Sequence, residues 1–428
     1  MTRRHLPLVT AATLALLLAT PAWAESPADP GGSTLDPGQF VRRVLDRNRL
    51  IKATDAERRG ALARVASAGA LEDPVISYNT TPETVDTKNG YLSVYQISQK
   101  IPWPGVLSLR TKAAMEEAGS VADQLADTRL RLAAKARAVY ADWYYVHKAL
   151  AINATDIALV ERLRAVARAA YASGQAPQQD VLRAEVERLR LQNETLDLKR
   201  RETAVQADIN QLLDTGPAAA VPPPGPRLPE PDVPADLNRL NAIALAQNPA
   251  LTGWNKQVSA SRDRVALAED GFYPNLTFMA GQNQLMQPYQ KQYTVGVSIN
   301  IPFGANHTGE LDDSYAALDT RQQRYLALKD QLLADLSQTY AALRQLHDSI
   351  ALYDGHLLPV ATLDLRAAEA DYRTGDGDFT KVIAAEQQLL KIELERERAR
   401  ADYFIQFASL DYQTGGRSLT DQAENQSP

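Results

Sequence analysis

The chain has 428 residues, 45% hydrophobic and 23% charged, the make-up of ordered protein with room for several domains or one long repeated architecture. Its formal net charge of −6 speaks against a nucleic-acid partner, which needs a basic face. It has no cysteine, which excludes disulfides, thiolate metal sites, a cysteine nucleophile and a lipid-bearing cysteine at a mature N-terminus.

Arg3 and Arg4 form a positive start, Leu8 to Ala19 an apolar run, and Ala22-Trp23-Ala24 a small-x-small cleavage pattern. Residues 1–24 therefore read as a secretory signal cut after Ala24. A retained span needs about 20 apolar residues, and this run is shorter and meets Pro21. Removing Arg3 and Arg4 without any acid takes the formal charge from −6 to −8. No later segment reads as a transmembrane helix, which leaves the periplasm, the outer membrane or the medium.

Gln39 to Ala70 lacks proline and reads as helix, with Pro74 marking its end. Val75 to Thr81 reads as a strand, Pro82 to Gly90 as a polar turn, and 91–101, rich in Tyr, Val and Ile, as a second strand. Val106 to Ser173 holds no proline and a single glycine, Gly119, among good helix formers. As one helix it would be about 100 Å long at 1.5 Å per residue. Ser173-Gly174-Gln175-Ala176-Pro177 breaks it, and Gln178 to Leu213 returns as a second helix, closed at Thr215-Gly216 with glycine as the cap. Pro217 to Pro234 is proline-rich and reads as an extended strap.

The same order then recurs. Shifted by 200 residues, Asn48 falls on Asn248, Pro74 on Pro274, Ile101-Pro102 on Ile301-Pro302, Tyr140 on Tyr340 and His147 on His347. After one inserted residue the shift is 201, and Tyr171 falls on Tyr372, Gly174 on Gly375, Val181 on Val382 and Ala184-Glu185 on Ala385-Glu386. A run in constant register marks a tandem duplication. The domains expected are a signal at 1–24, a first repeat at 36–216, a linker at 217–234, a second repeat at 235–416 and a polar tail at 417–428. The second repeat should carry strands near 275–283 and 292–301, and a helix bend near Gly355 and Pro359.

The strands are the informative part. Tyr293, Val295, Val297, Ile299 and Ile301 face one way, and Thr294, Gly296, Ser298 and Asn300 the other, as a porin-like strand requires. Leu276, Phe278 and Ala280, Ile76 and Tyr78, and Tyr95 and Ile97 share that parity, diluted by Ser93 and Gln99. Tyr78, Tyr91, Tyr273, Tyr289 and Tyr293 lie near strand ends, where an aromatic girdle would sit. Soluble hairpins packed on helices are the competing reading. Four strands cannot close a lipid-facing sheet, and unpaired edges cost several kcal/mol per group in hydrocarbon. Subunits must then share a barrel. Two copies would fill its interior with side chains, whereas three would bring twelve strands and a lumen.

Each half thus has an Asn-led helix motif (Asn48-Arg49-Leu50-Ile51, Asn248-Pro249-Ala250-Leu251), a Pro-led strand start (Pro74-Val75-Ile76, Tyr273-Pro274-Asn275-Leu276), an Ile-Pro exit and a Tyr-x-x-Gly turn. Over Gln39 to Gly416 the chain resembles the TolC-type outer-membrane efflux proteins, although the first half lacks the proline that follows Asn248. The resemblance implies a mainly α fold with transmembrane β. It implies a homotrimer with a twelve-strand barrel in outer-membrane lipid and a periplasmic helical barrel. It also implies partners: a periplasmic adaptor and an inner-membrane pump of the resistance-nodulation-division type. The strand exit Gln99-Lys100-Ile101-Pro102-Trp103-Pro104-Gly105 looks like members paired with heavy-metal exporters. By position, the turns Tyr171 to Asp180 and Tyr372 to Lys381 would be the periplasmic tips, with Gly174, Gln175, Gly375 and Gly377 touching the adaptor. Family prototypes keep a ring of acids just inside the second tip, where this chain has Lys381 and Ala384. The expectation is that Asp180 pairs with Lys381 across the closed tip while Asp376 and Asp378 line the mouth. Solvated turn charges are the plainer alternative.

No phosphate loop, zinc-protease motif or defensible nucleophile triad is present in the sequence, and no catalytic, cofactor or metal residue is assigned. His147 and His347 could form one level of six imidazoles in a trimer, but structural histidines on helix faces are the reading adopted. Met115, Met279 and Met286 do not cluster in sequence. Helical carboxylates such as Asp127, Asp197, Glu185 and Glu395 have arginines one turn on. A passive efflux duct is the first functional reading. The exit duct of a type I protein secretion system has the same architecture, and a periplasmic coiled-coil scaffold without a barrel is a third reading.

Overall fold

The computed structural model describes residues 34–81, 92–234, 236–284 and 291–416. The signal, the turn 82–90, Tyr91, Tyr289 and the tail 417–428 lie outside the described residues.

The first helical stretch is two helices, α1 (Pro37–Arg47) and α2 (Arg49–Ala68), where the sequence reads as one. Asn48 makes the break. Its backbone N–H still closes α1 on the Val44 carbonyl at 3.0 Å, while its side chain caps α2 by accepting from Leu50 N at 2.9 Å. An asparagine side chain competes well with helix continuation, so a cap costs little here. Asn248 repeats the arrangement between α5 (Leu237–Gln247) and α6 (Pro249–Asp270), accepting from Leu251 N at 3.1 Å. Pro249 suits the first helical position because its missing N–H is not needed there.

Next come β1 (Val75–Thr81) and β2 (Leu92–Ile101), then α3 (Val106–Ala172), 67 residues long. At 1.5 Å per residue α3 measures about 100 Å. It returns as α4 (Gln178–Leu213). The cap of α4 is Asp214 at φ 57°, two residues before the glycine expected for that role. Aspartate tolerates the left-handed region better than most residues, and Arg49 Nε holds its carboxylate at 2.8 Å. The Asn48 amide donates to the Leu212 carbonyl at 3.3 Å and that of Asn248 to Gln413 at 3.1 Å. The Asn-led motifs therefore tie each short helix pair to the end of its repeat's last long helix.

The second repeat runs β3 (Leu276–Gln284), β4 (Lys291–Ile299), α7 (Ala305–Leu352), a π turn (Tyr353–Leu357), α8 (Leu358–Thr374) and α9 (Phe379–Gln413). The irregularity expected near Gly355 and Pro359 is this π turn. Pro359 can neither donate to the Gly355 carbonyl nor clear it, and widening the preceding turn relieves both conflicts.

The largest core lies where α1, α3, α4 and α9 meet, around fully buried Phe40, Tyr140 and Ile209. The linker crosses it as an extended strap. Leu35 N donates to the Pro223 carbonyl at 2.7 Å, Trp143 Nε1 to Pro222 at 3.0 Å and the Tyr140 hydroxyl to Leu35 at 2.8 Å. Proline leaves its carbonyls free to accept, so the helices' aromatic donors can pin a strap with few N–H groups of its own. A second core joins α7 and α9 through Leu336, Leu343, Phe407 and Leu410.

Candidate channel wall and tip

The strands form one antiparallel sheet in the order β1-β2-β3-β4. Its register lines the apolar parity up across all strands. Ile76, Ile97, Ala280 and Val295 make one row; Tyr78, Tyr95, Gln282 and Tyr293 the next; Gln99, Phe278 and Val297 another; Ile101, Leu276 and Ile299 the last. The opposite face carries rows such as Ser77, Gln96, Gly281, Thr294 and Lys100, Thr277, Ser298. In the single chain neither face is covered, and Val295 is 84% exposed on the apolar one. From Tyr95 to Ile101 is about 20 Å at 3.3 Å per residue. Tyr78 and Tyr95 lie 4.9 Å apart by ring centroid at one end of this band. Trp103 stacks on Tyr273 at 4.9 Å and 9° at the other. Outer-membrane walls carry an apolar band of about 25 Å between aromatic levels, and this sheet has the same arrangement of an apolar face between two aromatic levels. Among the described residues β1 and β4 have one strand neighbour each.

At the far end of the helices the two tip turns face each other across a cleft of 910 Å³. Gly174 at φ 72° and Gly375 at φ 84° reverse the chain, a backbone conformation that glycine adopts without strain. A Cβ on Gly377 would lie 2.8 Å from Tyr372 N, so this turn is closed by glycine for lack of room. Asp378 caps α9, accepting from Thr380 N at 2.8 Å, and its hydrogen bonds to Thr380 hold its carboxyl below the usual range. Asp376 accepts from Thr374 Oγ1 at 3.2 Å.

Asp180 has another partner than expected. It is 5% exposed and accepts from the Tyr372 hydroxyl at 3.1 Å, while Lys381 is exposed. Among the described contacts within one chain, Asp180 and Lys381 form no ion pair. The reason is rotational. Asp180 sits on the buried side of α4's first turn, and α9 presents Val382 and Ala385 inward, which leaves Lys381 outside. The cation that crosses the tip is Arg183, bonded to Thr380 Oγ1 and 3.7 Å from Asp378. Burial first, then the neighbouring Asp180 charge, push the Tyr372 hydroxyl up to about 12, so it stays a donor at physiological pH. Nothing in the one-dimensional sequence marks Arg183 and Thr380 as partners of this tip. The repeated Tyr-x-x-Gly pattern was the available pointer to Tyr372.

The histidines separate. His147 packs edge-on against Trp143 at 4.4 Å and lies 3.6 Å from Glu202, and burial lowers its pKa, whereas His347 is exposed beside Asp348. The described residues contain no group of three His, Cys, Asp or Glu able to hold a metal ion, and no described helix is long and apolar enough to cross a membrane. Of the spaced ion pairs, Glu185 and Arg188 meet at 2.6 Å, while Arg398 reaches Asp402 and Asp142.

Long helices run on from a small amphipathic sheet in each repeat, and this build has known counterparts. Residues 240–416 match the family model described as outer membrane efflux protein. The fold extends the likeness across both repeats. A CusC structure described with its transmembrane channel formation is 15% identical, with a TM-score of 0.79 over 89% of this chain and 92% of that one. The outer membrane protein VceC from Vibrio cholerae is 16% identical, TM-score 0.77, over 89% and 96%. The MtrE outer membrane channel of Neisseria gonorrhoeae, in its open state, is 15% identical, TM-score 0.74, over 89% of each. No curated protein sequence matches this chain. Family members are passive channels of the outer membrane with a large periplasmic helical part, not enzymes, and work as trimers with adaptors and inner-membrane pumps.

Proposed function

We propose that three copies of this chain close a twelve-strand barrel and a helical tube, forming the exit duct of a tripartite efflux system. The observation that carries this is the sheet, with one apolar face and a free edge at β1 and at β4 among the described residues. Lipid would cover the apolar face, and a β1–β4 pairing between neighbouring copies would satisfy the edges. The helices point the same way. Leu182, Val186, Leu189 and Leu196 expose an apolar stripe on α4, and Val360 and Leu363 another on α8. Unpartnered stripes on two elements of one chain suit a head-to-tail ring, which closes only in a defined number of copies.

The tips would then gather at the mouth of the tube. Three copies bring Asp376 and Asp378 into a ring that favours cations, with Asp180, Tyr372, Arg183 and Lys381 at its rim. Gly174, Gln175, Gly375 and Gly377 would present the turns to the adaptor. The heavy-metal branch rests on the strand exit Gln99 to Gly105, and the metal sensitivity of a deletion strain tests it.

Purified protein in a planar bilayer tests the duct itself. A trimeric mass in detergent with discrete, cation-favouring pores is expected. A monomer that stays soluble without detergent and forms no pores would overturn the barrel.

A further inference from the structure

On α9 the residues that meet α3 and α4 recur as Phe379, Val382, Glu386 and Leu390. Three are apolar and one is a carboxylate. Toward the tip the seam is Leu163, Ala184, Val382 and Ala385; away from it, Val160, Leu191 and Leu390. Glu386 interrupts that seam at 0% exposure, and neither of its carboxylate oxygens has a hydrogen-bond partner. Asp156 on α3 is buried beside it, with Oδ2 likewise unpartnered. Glu187 on α4 is buried too, but satisfied. Arg190 holds it at 2.5 Å and Gln387 Nε2 donates to it at 2.6 Å.

The charges bearing on Glu386 are thus Asp156 from α3 and Glu187 and Arg190 from α4, while Asp156 also bears on Glu393 of α9. Among the described residues α8 adds none of these. Arg190 is committed to Glu187, which leaves two buried carboxylates side by side. Both cannot be ionised there without a large penalty. A proton on Glu386 resolves the conflict, because a neutral Glu386 donates its O–H to the Asp156 carboxylate and both gain a partner. Burial first, then Asp156, hold Glu386 well above the usual carboxylate range, and burial also raises Asp156.

We propose that Glu386 and Asp156 form a proton-bound joint that seats α9 against α3 and α4, and that loss of the proton at alkaline pH unseats α9 and loosens the second-repeat tip. The seated state holds a proton that opened α9 releases at the ordinary carboxylate pKa. Seating is therefore strongest in acid and weakens as pH rises from the ordinary value toward the raised one. A single linked proton changes the opening equilibrium about tenfold per pH unit.

Amide hydrogen exchange of the full chain in detergent, corrected for intrinsic rates, tests the joint over 379–395. Protection should fall by about that factor per unit from roughly pH 6 to roughly pH 9, while Glu386→Gln, which keeps the shape without the titration, stays flat. A flat wild type, or an equal slope in the variant, overturns the joint. Should Glu386→Gln fail to fold, infrared difference spectra of the wild type decide. A carboxylic-acid carbonyl band must be present at neutral pH and vanish as protection falls; its absence overturns the joint. The consequence for the pore rests on the tips being its mouth. An α9 that loosens with pH under constant conductance supports the joint and refutes only that link.

Discussion

The Tyr372 hydroxyl donates to Asp180 Oδ2 at 3.1 Å, joining the last turn of α8 to the first turn of α4 across 192 positions of sequence. Because Asp180 is buried, this bond ties the two tip turns together from inside, where a surface ion pair would be screened.

Replacing Tyr372 with Phe removes the donor and leaves a buried carboxylate short of a partner. The expected cost is about 1–3 kcal/mol of local stability, with pores that open more often in bilayer recordings. Lys381→Ala should leave both unchanged. Unaltered gating in Tyr372→Phe would remove the bond from the closed state.

The strand parity predicts opposite fates for adjacent residues. Val295→Lys places a charge on the apolar face and should cost about 2–4 kcal/mol where lipid covers it, abolishing detergent-resistant trimers and outer-membrane recovery. Thr294→Lys, on the polar face, should assemble. Equal behaviour of the two variants would contradict a lipid-facing sheet.

Asn248→Ala removes both the cap of α6 and the tie to Gln413, at a site with 3% exposure. The loss should be about 1–2 kcal/mol, read as a lower midpoint in urea. Asn248→Asp keeps the cap acceptor but not the amide donor and should fall between the two.

Glu185 accepts from Arg164 and Arg188, each at 2.6 Å, and those hydrogen bonds hold its pKa down to about 2. A lowered carboxylate binds its proton more weakly folded than unfolded. Its contribution is therefore present above the ordinary carboxylate value and is lost as pH falls from there toward 2. Glu185→Gln should flatten the acid limb of thermal stability between those limits while changing little at neutral pH. An acid limb identical to wild type would mean that the pair contributes nothing folded beyond what it has unfolded.

Much of the architecture was legible because its signals are local or repeated. Proline marked the strap, an unbroken run of helix formers marked α3, and Pro359 with Gly355 marked the π turn. Asn48 is not legible as a break because nothing in its neighbourhood forbids helix; its capping bond is chosen against a background of equally helical residues. The cap at Asp214 was placed on Gly216 because glycine is the commoner left-handed residue, and only Arg49, distant in sequence, rewards aspartate there.

The tip shows the limit most clearly. Sequence placed Asp180, Lys381, Asp376 and Asp378 on two turns, but an acid and a base at matched repeat positions meet only if both helices turn them inward. Here α9 turns Val382 and Ala385 in and Lys381 out. The buried pair of Asp156 and Glu386 was invisible for the same reason, since each reads as one more charge on a helix rich in them.

By itself the sequence determined the duplication, the element order and which strand residues share a face, because periods of two and of about 200 residues survive in one dimension. Tertiary structure alone decided which charges are buried and with whom they pair. That choice depends on the rotation of each long helix about its axis, and the rotation is set by packing against helices far away in the chain.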